Sequence, residues 1–146
     1  MAAIREWYGG YNIIYNWFKR NYGVEELNKY WHYLADEVYK PLLVDKFKKG
    51  PQAIADYFHE IIEADEGKVK TEVTDNEVTV DIIECPDYIW QHHFSDMPCG
   101  IADNNEDYYK SYTTIYGDVA DAAGYDFEEL RFSTDGKLKF MFKKRG

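Results

Sequence analysis

Lys68-Val69-Lys70-Thr71-Glu72-Val73-Thr74-Asp75-Asn76-Glu77-Val78-Thr79-Val80-Asp81-Ile82-Ile83-Glu84 is the stretch where the pattern of this chain changes. Val69, Thr71 and Val73, then Val78, Val80 and Ile82, fall at every second position, so each run can turn one face to a core and the other to water. Asp75-Asn76 lies between the runs, which predicts a hairpin with strands near 68–74 and 77–84. Ile82-Ile83 blurs the alternation, and Cys85-Pro86 closes the second strand, because proline cannot donate to a central ladder.

Before the hairpin the period is helical. Trp7, Tyr11, Ile14, Tyr15 and Phe18 share a face over 3–21, with Gly9-Gly10 weakening the first turns and Gly23 as the stop. A second helix is expected over 25–48, with one stripe of Leu27, Tyr30, Trp31, Leu34, Val38 and Leu42. Pro41 should kink or divide it near Lys40. Gly50-Pro51 opens a third helix, 52–64, whose inner face is Ile54, Phe58, Ile61 and Ile62. After the hairpin come a long connection over 86–103 and a fourth helix over 105–123, with Tyr108, Tyr112, Ile115, Tyr116 and Val119 on its apolar face. A closing hairpin follows, 127–133 and 137–142, joined by Thr134-Asp135-Gly136. The sum is an α+β fold: N-terminal helices packed on a four-stranded antiparallel sheet of two hairpins, with one helix between the hairpins. No linker or repeat interrupts it, so residues 1–146 read as a single domain.

The chain carries 17 basic and 27 acidic residues, a formal charge of −10. Such a surface repels phosphate backbones and anionic lipid, so neither nucleic acid nor a membrane is the expected partner. No apolar run reaches the length of a bilayer span, and Met1 to Trp7 has no signal-peptide core, which predicts a cytoplasmic protein. Two cysteines with thirteen residues between them fit no zinc-ribbon or thioredoxin spacing. Aromatic residues make up 18% of the chain, including 14 tyrosines. They suit a ring-packed core, a stacking pocket or a face for a second copy, which leaves room for a homodimer.

Chemistry-bearing side chains concentrate in 85–103. Cys85 and Cys99 are candidate nucleophiles, His92 and His93 candidate acid/base groups, and Asp103 a candidate orienting carboxylate. Two small buried thiols in a core are the plainer alternative for the cysteines. One histidine with Cys99 and Asp96 or Asp103 would offer mixed zinc ligands, but at no recognised spacing, so no cofactor is expected and zinc is the alternative. On the helices, His32 and Asp36, and His59 and Glu63, stand four residues apart on shared faces. His32 and Asp36, with Trp31, Trp90 and Tyr108, are the candidate walls of a substrate pocket, and Tyr33 and Tyr39 could complete it. The acidic start of the fourth helix, Asp103 to Asp107, suits capping and the helix dipole and lacks a calcium-loop pattern.

A strand ending in Cys85, a loop with Pro98-Cys99 and Asp103, an acidic helix and the hairpin Phe127–Phe142 together resemble the L-2-amino-thiazoline-4-carboxylic acid hydrolase-like family. Tyr30-Trp31-His32-Tyr33-Leu34-Ala35 also looks similar to small proteins of that layout, and the likeness covers about residues 25–142. The last strand, Lys139-Phe140-Met141-Phe142, lacks the cysteine that the resemblance would place there. The resemblance implies a small enzyme, a hydrolase or lyase, acting on a small sulfur- or nitrogen-containing molecule. The alternative is a non-catalytic domain that binds a small ligand, or an accessory subunit that docks through aromatic surface.

Overall fold

The computed structural model describes residues 2–86, 88 and 106–146. Helix α1 runs Ala2–Tyr22 and α2 runs Val24–Leu34; a π-helical turn, Ala35–Tyr39, leads into α3, Lys40–Phe47. Helix α4 is Pro51–Ala64, strand β1 Lys68–Val73 and β2 Glu77–Glu84. Helix α5 is Glu106–Ala123, and β3, Tyr125–Arg131, and β4, Lys139–Lys144, close the chain. The strands form one antiparallel sheet in the order β1-β2-β4-β3, which joins the two hairpins edge to edge through β2 and β4. The fold is the expected α+β arrangement of helices on a two-hairpin sheet.

The sheet works as alternation demands. Val78, Val80 and Ile82 of β2 and Phe140 and Phe142 of β4 are buried, while their neighbours in sequence are less so. Val78 stands opposite Phe142 and Val80 opposite Phe140, so cross-strand pairs of a branched residue and a ring line the inner face. Helix α4 lies over β1 and β2 through Ile54, Phe58 and Ile62, and α5 lies over β3. The buried Tyr125 hydroxyl donates to the Phe47 carbonyl at 3.0 Å, tying β3 to the end of α3. A second, smaller cluster of Tyr15, Leu27, Trp31, Ala35 and Ile115 holds α1 and α2 against α5.

The second helix differs from expectation in an informative way. Pro41 divides it where predicted, but through a π turn and not a kink: the Lys40 N–H donates to the Ala35 carbonyl, five residues back. Proline has no N–H, and its ring presses on the carbonyl four residues before it; the wider turn relieves that contact while the helix continues. The inserted residue also shifts the phase of the inner face. Past the turn Leu43 and Phe47 are buried, whereas Val38 and Leu42, assigned inward on an unbroken α-helical period, are 42% and 70% exposed. The closing hairpin also starts earlier and ends later than the sequence suggests, because Tyr125 is a core residue and the link from Phe132 to Leu138 is longer than a tight turn. No described helix is long and apolar enough to cross a membrane.

Candidate functional site

Helices α1, α4 and α5 and the π turn converge on a hollow of about 200 Å³. Six tyrosines face it: Tyr11 and Tyr15 from α1, Tyr39 from the π turn, Tyr57 from α4, and Tyr112 and Tyr116 from α5. Tyr15, Tyr112 and Tyr116 are buried and form its floor, while Tyr11, Tyr39 and Tyr57 are half-buried and form its rim. Helical spacing puts them there. Tyr11 and Tyr15, and Tyr112 and Tyr116, are four residues apart, as are Tyr57, Ile61 and Asp65, so each helix presents a single stripe. Tyr39 reaches the rim at the end of the π turn, edge-on to Tyr116 with ring centroids 6.0 Å apart.

Hydroxyls pair within the floor and between floor and rim. Tyr57 Oη and Tyr116 Oη lie 2.9 Å apart, and Tyr15 shares a hydrogen bond with Ser111. The rings meet edge-on or tilted: Tyr57 and Tyr116 at 6.1 Å, Tyr112 and Tyr116 at 5.5 Å. Burial makes every one of the affected phenols harder to ionise. Tyr57 is pushed up to about 12 despite the moderating bond from Tyr116. Tyr15 and Tyr116 are raised well above an ordinary phenol, and Tyr39 is raised as well, in each case chiefly by loss of water. Tyr15, Tyr39, Tyr57 and Tyr116 therefore offer neutral hydroxyls to the cavity at any physiological pH.

The shifts carry a stability prediction. Above about pH 10 the phenols of the unfolded chain lose protons that these tyrosines retain when folded, so the unfolded state binds fewer protons and stability falls as pH rises. A spectrophotometric titration should show a class of tyrosines that ionises only as helical circular dichroism is lost. Ionisation of all 14 tyrosines in one step near pH 10 with the fold intact would contradict this.

The residues singled out from the sequence lie elsewhere or beyond the described residues. Cys85 is 1% exposed in the main core, beside Gly136 and the Tyr109 ring. That is the setting of a small buried hydrophobe. Trp31 is buried with its indole edge-on to Tyr15 at 5.5 Å, and it also lines a second hollow of about 520 Å³ with Lys19, Lys110 and Thr113. The expected pairing of His32 with Asp36 does not form. His32 Nδ1 lies 2.5 Å from Asp118 on α5, and Asp36 accepts from Lys40 at 2.5 Å. The reason is that α5 packs along this side of α2 and supplies the nearer carboxylate, while Lys40 answers the Asp36 charge. The other helical pair does form, His59 Nδ1 to Glu63 at 2.7 Å, with Thr71 on the second ring nitrogen at 3.0 Å. Tyr33 is exposed, and Tyr39 lines the tyrosine hollow, whose described walls include neither His32 nor Asp36. Trp90, His92, His93, Cys99 and Asp103, Asp96 among the proposed zinc ligands, and the side chain of Tyr108, lie outside the described residues. Among the described residues no three histidine, cysteine or carboxylate side chains are grouped to hold a metal ion.

No family model, curated protein or solved structure matches this chain. Function is therefore argued from the cavity itself. Its signal in the sequence was the repetition of tyrosine at four-residue spacing on two helices, which reads equally well as core packing.

Proposed function

We propose that this chain binds a small molecule in the tyrosine-lined hollow. One observation carries the reading: six tyrosines from separate elements surround a single cavity. A core built only to exclude water would use phenylalanine and leucine there; phenols add polar tips that must be paired when buried. A hollow of about 150 Å³ already accepts a benzene ring, so this one suits a ligand of comparable or slightly larger size. The π turn at its wall is a further support, since such turns recur at functional sites.

A hydrolase or lyase acting on a small sulfur- or nitrogen-containing molecule is the second reading. Its support is the family resemblance and the position of α5. The segment that carries His92, His93, Cys99 and Asp103 leads directly into that helix, whose Ser111 and Tyr112 line the cavity. A cytoplasmic location, the expectation from the sequence, belongs to both readings. A homodimer is favoured by the exposed Ile13, Ile14 and Trp17 of α1.

The test is ligand-detected NMR with a panel of ring-sized fragments of each charge, on wild-type protein and on Tyr112→Trp, which fills the hollow. Saturable binding that Tyr112→Trp abolishes while the circular dichroism is kept is the expected result. Fragments that bind both proteins alike, or neither, overturn the proposal. For the enzyme reading, L-2-amino-thiazoline-4-carboxylic acid is the substrate to offer. Consumption that survives both Cys85→Ser and Cys99→Ser would end the covalent mechanism.

A further inference from the structure

We propose that the outer edge of β1 pairs antiparallel with β1 of a second copy of this chain, about a two-fold axis at Thr71, so that two sheets become one. β1 stands at one end of the strand order, and its ladder with β2 uses the backbone groups of one side only. Among the described residues no backbone group pairs with its other side. Such a row of donors and acceptors is a template for another strand, and the side chains decide which strand fits. Lys68, Lys70 and Glu72 are exposed and share one face, while Val69, Thr71 and Val73 share the other.

In an antiparallel pair related by a two-fold axis, the residue on the axis stands opposite itself, and residues equally far to either side stand opposite each other. An axis at Lys68, Lys70 or Glu72 sets a charge against its own copy, and one at Val69 sets Lys68 against Lys70. An axis at Val73 runs Lys70 past the strand end, to Asn76. The axis at Thr71 avoids all of these. It sets Lys70 against Glu72 of the second copy, twice, and Val69 against Val73, twice, with Thr71 against itself, and pairs of each kind stabilise a sheet. The exposed Val73 thereby gains cover, and the one irregularity of β1, between Lys68 and Val69, falls at the end of the overlap. The charges are available for this. Neither Lys70 nor Glu72 is in an ion pair among the described residues, and Asp81, across the ladder from Lys70, is held by Arg131 at 2.5 Å. Lysine on an edge usually keeps other strands away, but lysine with glutamate two residues on makes an edge that complements itself when antiparallel. The other edge, β3, has its charges answered within the chain: Glu129 accepts from Thr113 at 2.6 Å, and Arg131 donates to Asp81 and to the Lys137 carbonyl. The exposed residues of α1 are apolar and set no register, whereas β1 sets one.

The net charge of −10 opposes association at a distance, so the dimer belongs to high protein concentration. The test is sedimentation velocity on the full chain from about 5 to about 500 µM, at moderate ionic strength. Wild-type protein should pass from monomer to dimer and stop there. Lys70→Glu and Glu72→Lys should each weaken the dimer about tenfold or more with circular dichroism unchanged. An equimolar mixture of these two variants should dimerise again, because the acidic edge of one then faces the basic edge of the other. Trp17→Ser, on the exposed face of α1, should leave the dimer intact. The proposal is overturned by a chain that stays monomeric throughout, by growth beyond the dimer, or by a dimer that both charge variants keep. Single variants that fail to recombine on mixing, or a dimer lost in Trp17→Ser, overturn it equally. None of these outcomes bears on whether the tyrosine hollow binds a ligand.

Discussion

Phe58→Ala should cost about 3–5 kcal/mol, the largest loss expected from any single truncation in this chain. Phe58 is fully buried and sits where four elements meet. Its ring lies 4.9 Å from Tyr116 on α5, 5.3 Å from Phe140 and 5.9 Å from Phe142 on β4, and 6.5 Å from Phe47 at the end of α3. Truncation removes the transfer energy of a whole ring and leaves a cavity whose walls belong to different elements and cannot collapse together. Edge-on ring pairs add roughly 0.5–1.5 kcal/mol each beyond buried area, so the loss should lie toward the upper end of the range. Domains of this kind have only about 5–15 kcal/mol to lose. Urea unfolding followed by circular dichroism would read it as a lowered midpoint at nearly unchanged slope. Phe58→Leu, which keeps most of the volume, should cost clearly less, and Ile13→Ala on the exposed face of α1 almost nothing. A loss below about 1 kcal/mol for Phe58→Ala would mean that the ring cluster is not where the packing of helices and sheet is decided. Since Tyr116 rests on Phe58, the same variant should also loosen the floor of the cavity.

Alternation in Val69 to Ile82 was enough to place the first hairpin, because strand pattern is local and one face is buried against α4. Helix boundaries were legible for the same reason: Gly23 ends and Pro51 begins a segment by backbone chemistry that needs no partner. The π turn was not legible. Pro41 marks the place, but whether a chain kinks, breaks or widens there depends on what packs on either side. An unbroken period therefore put Val38 and Leu42 inward where the fold turns Leu43 and Phe47 inward. The cavity is not legible in the sequence for a different reason. Its walls come from residues as far apart as Tyr11 and Tyr116, and a stripe of tyrosine on one helix does not say whether it meets leucine or other phenols. Nucleophiles and imidazoles cluster in 85–103, a contiguous stretch, whereas the cavity is made of side chains that carry no reactive signature individually. His32 shows the limit of spacing arguments: four residues from Asp36 on one helix, it is instead bonded to Asp118, eighty-six residues away in sequence.

Gly136→Ala should cost about 2–5 kcal/mol, far more than the same change at Gly124, and the difference isolates one contact. Both glycines have left-handed backbones, φ +82° at Gly136 and +88° at Gly124. A side chain at Gly124 would meet nothing within 4 Å, so that substitution carries only the conformational cost, about 1–2 kcal/mol. At Gly136 the added methyl would lie 2.6 Å from Cys85 Cβ and 3.1 Å from the Tyr109 ring. Neither neighbour can swing away easily: Cys85 Cβ is fixed to the backbone just past β2, and Tyr109 is a buried ring on α5. The β3–β4 connection is thereby pressed against the end of β2 and the start of α5, between which the chain carries His92, His93, Cys99 and Asp103. Cys85→Gly provides the check, since it removes the closest atom. In that background the increment for Gly136→Ala should fall toward the Gly124→Ala value, leaving only a Tyr109 contact that a small ring shift can relieve. If the increment is the same with and without the Cys85 side chain, the close approach of these two backbones is not what requires glycine at 136.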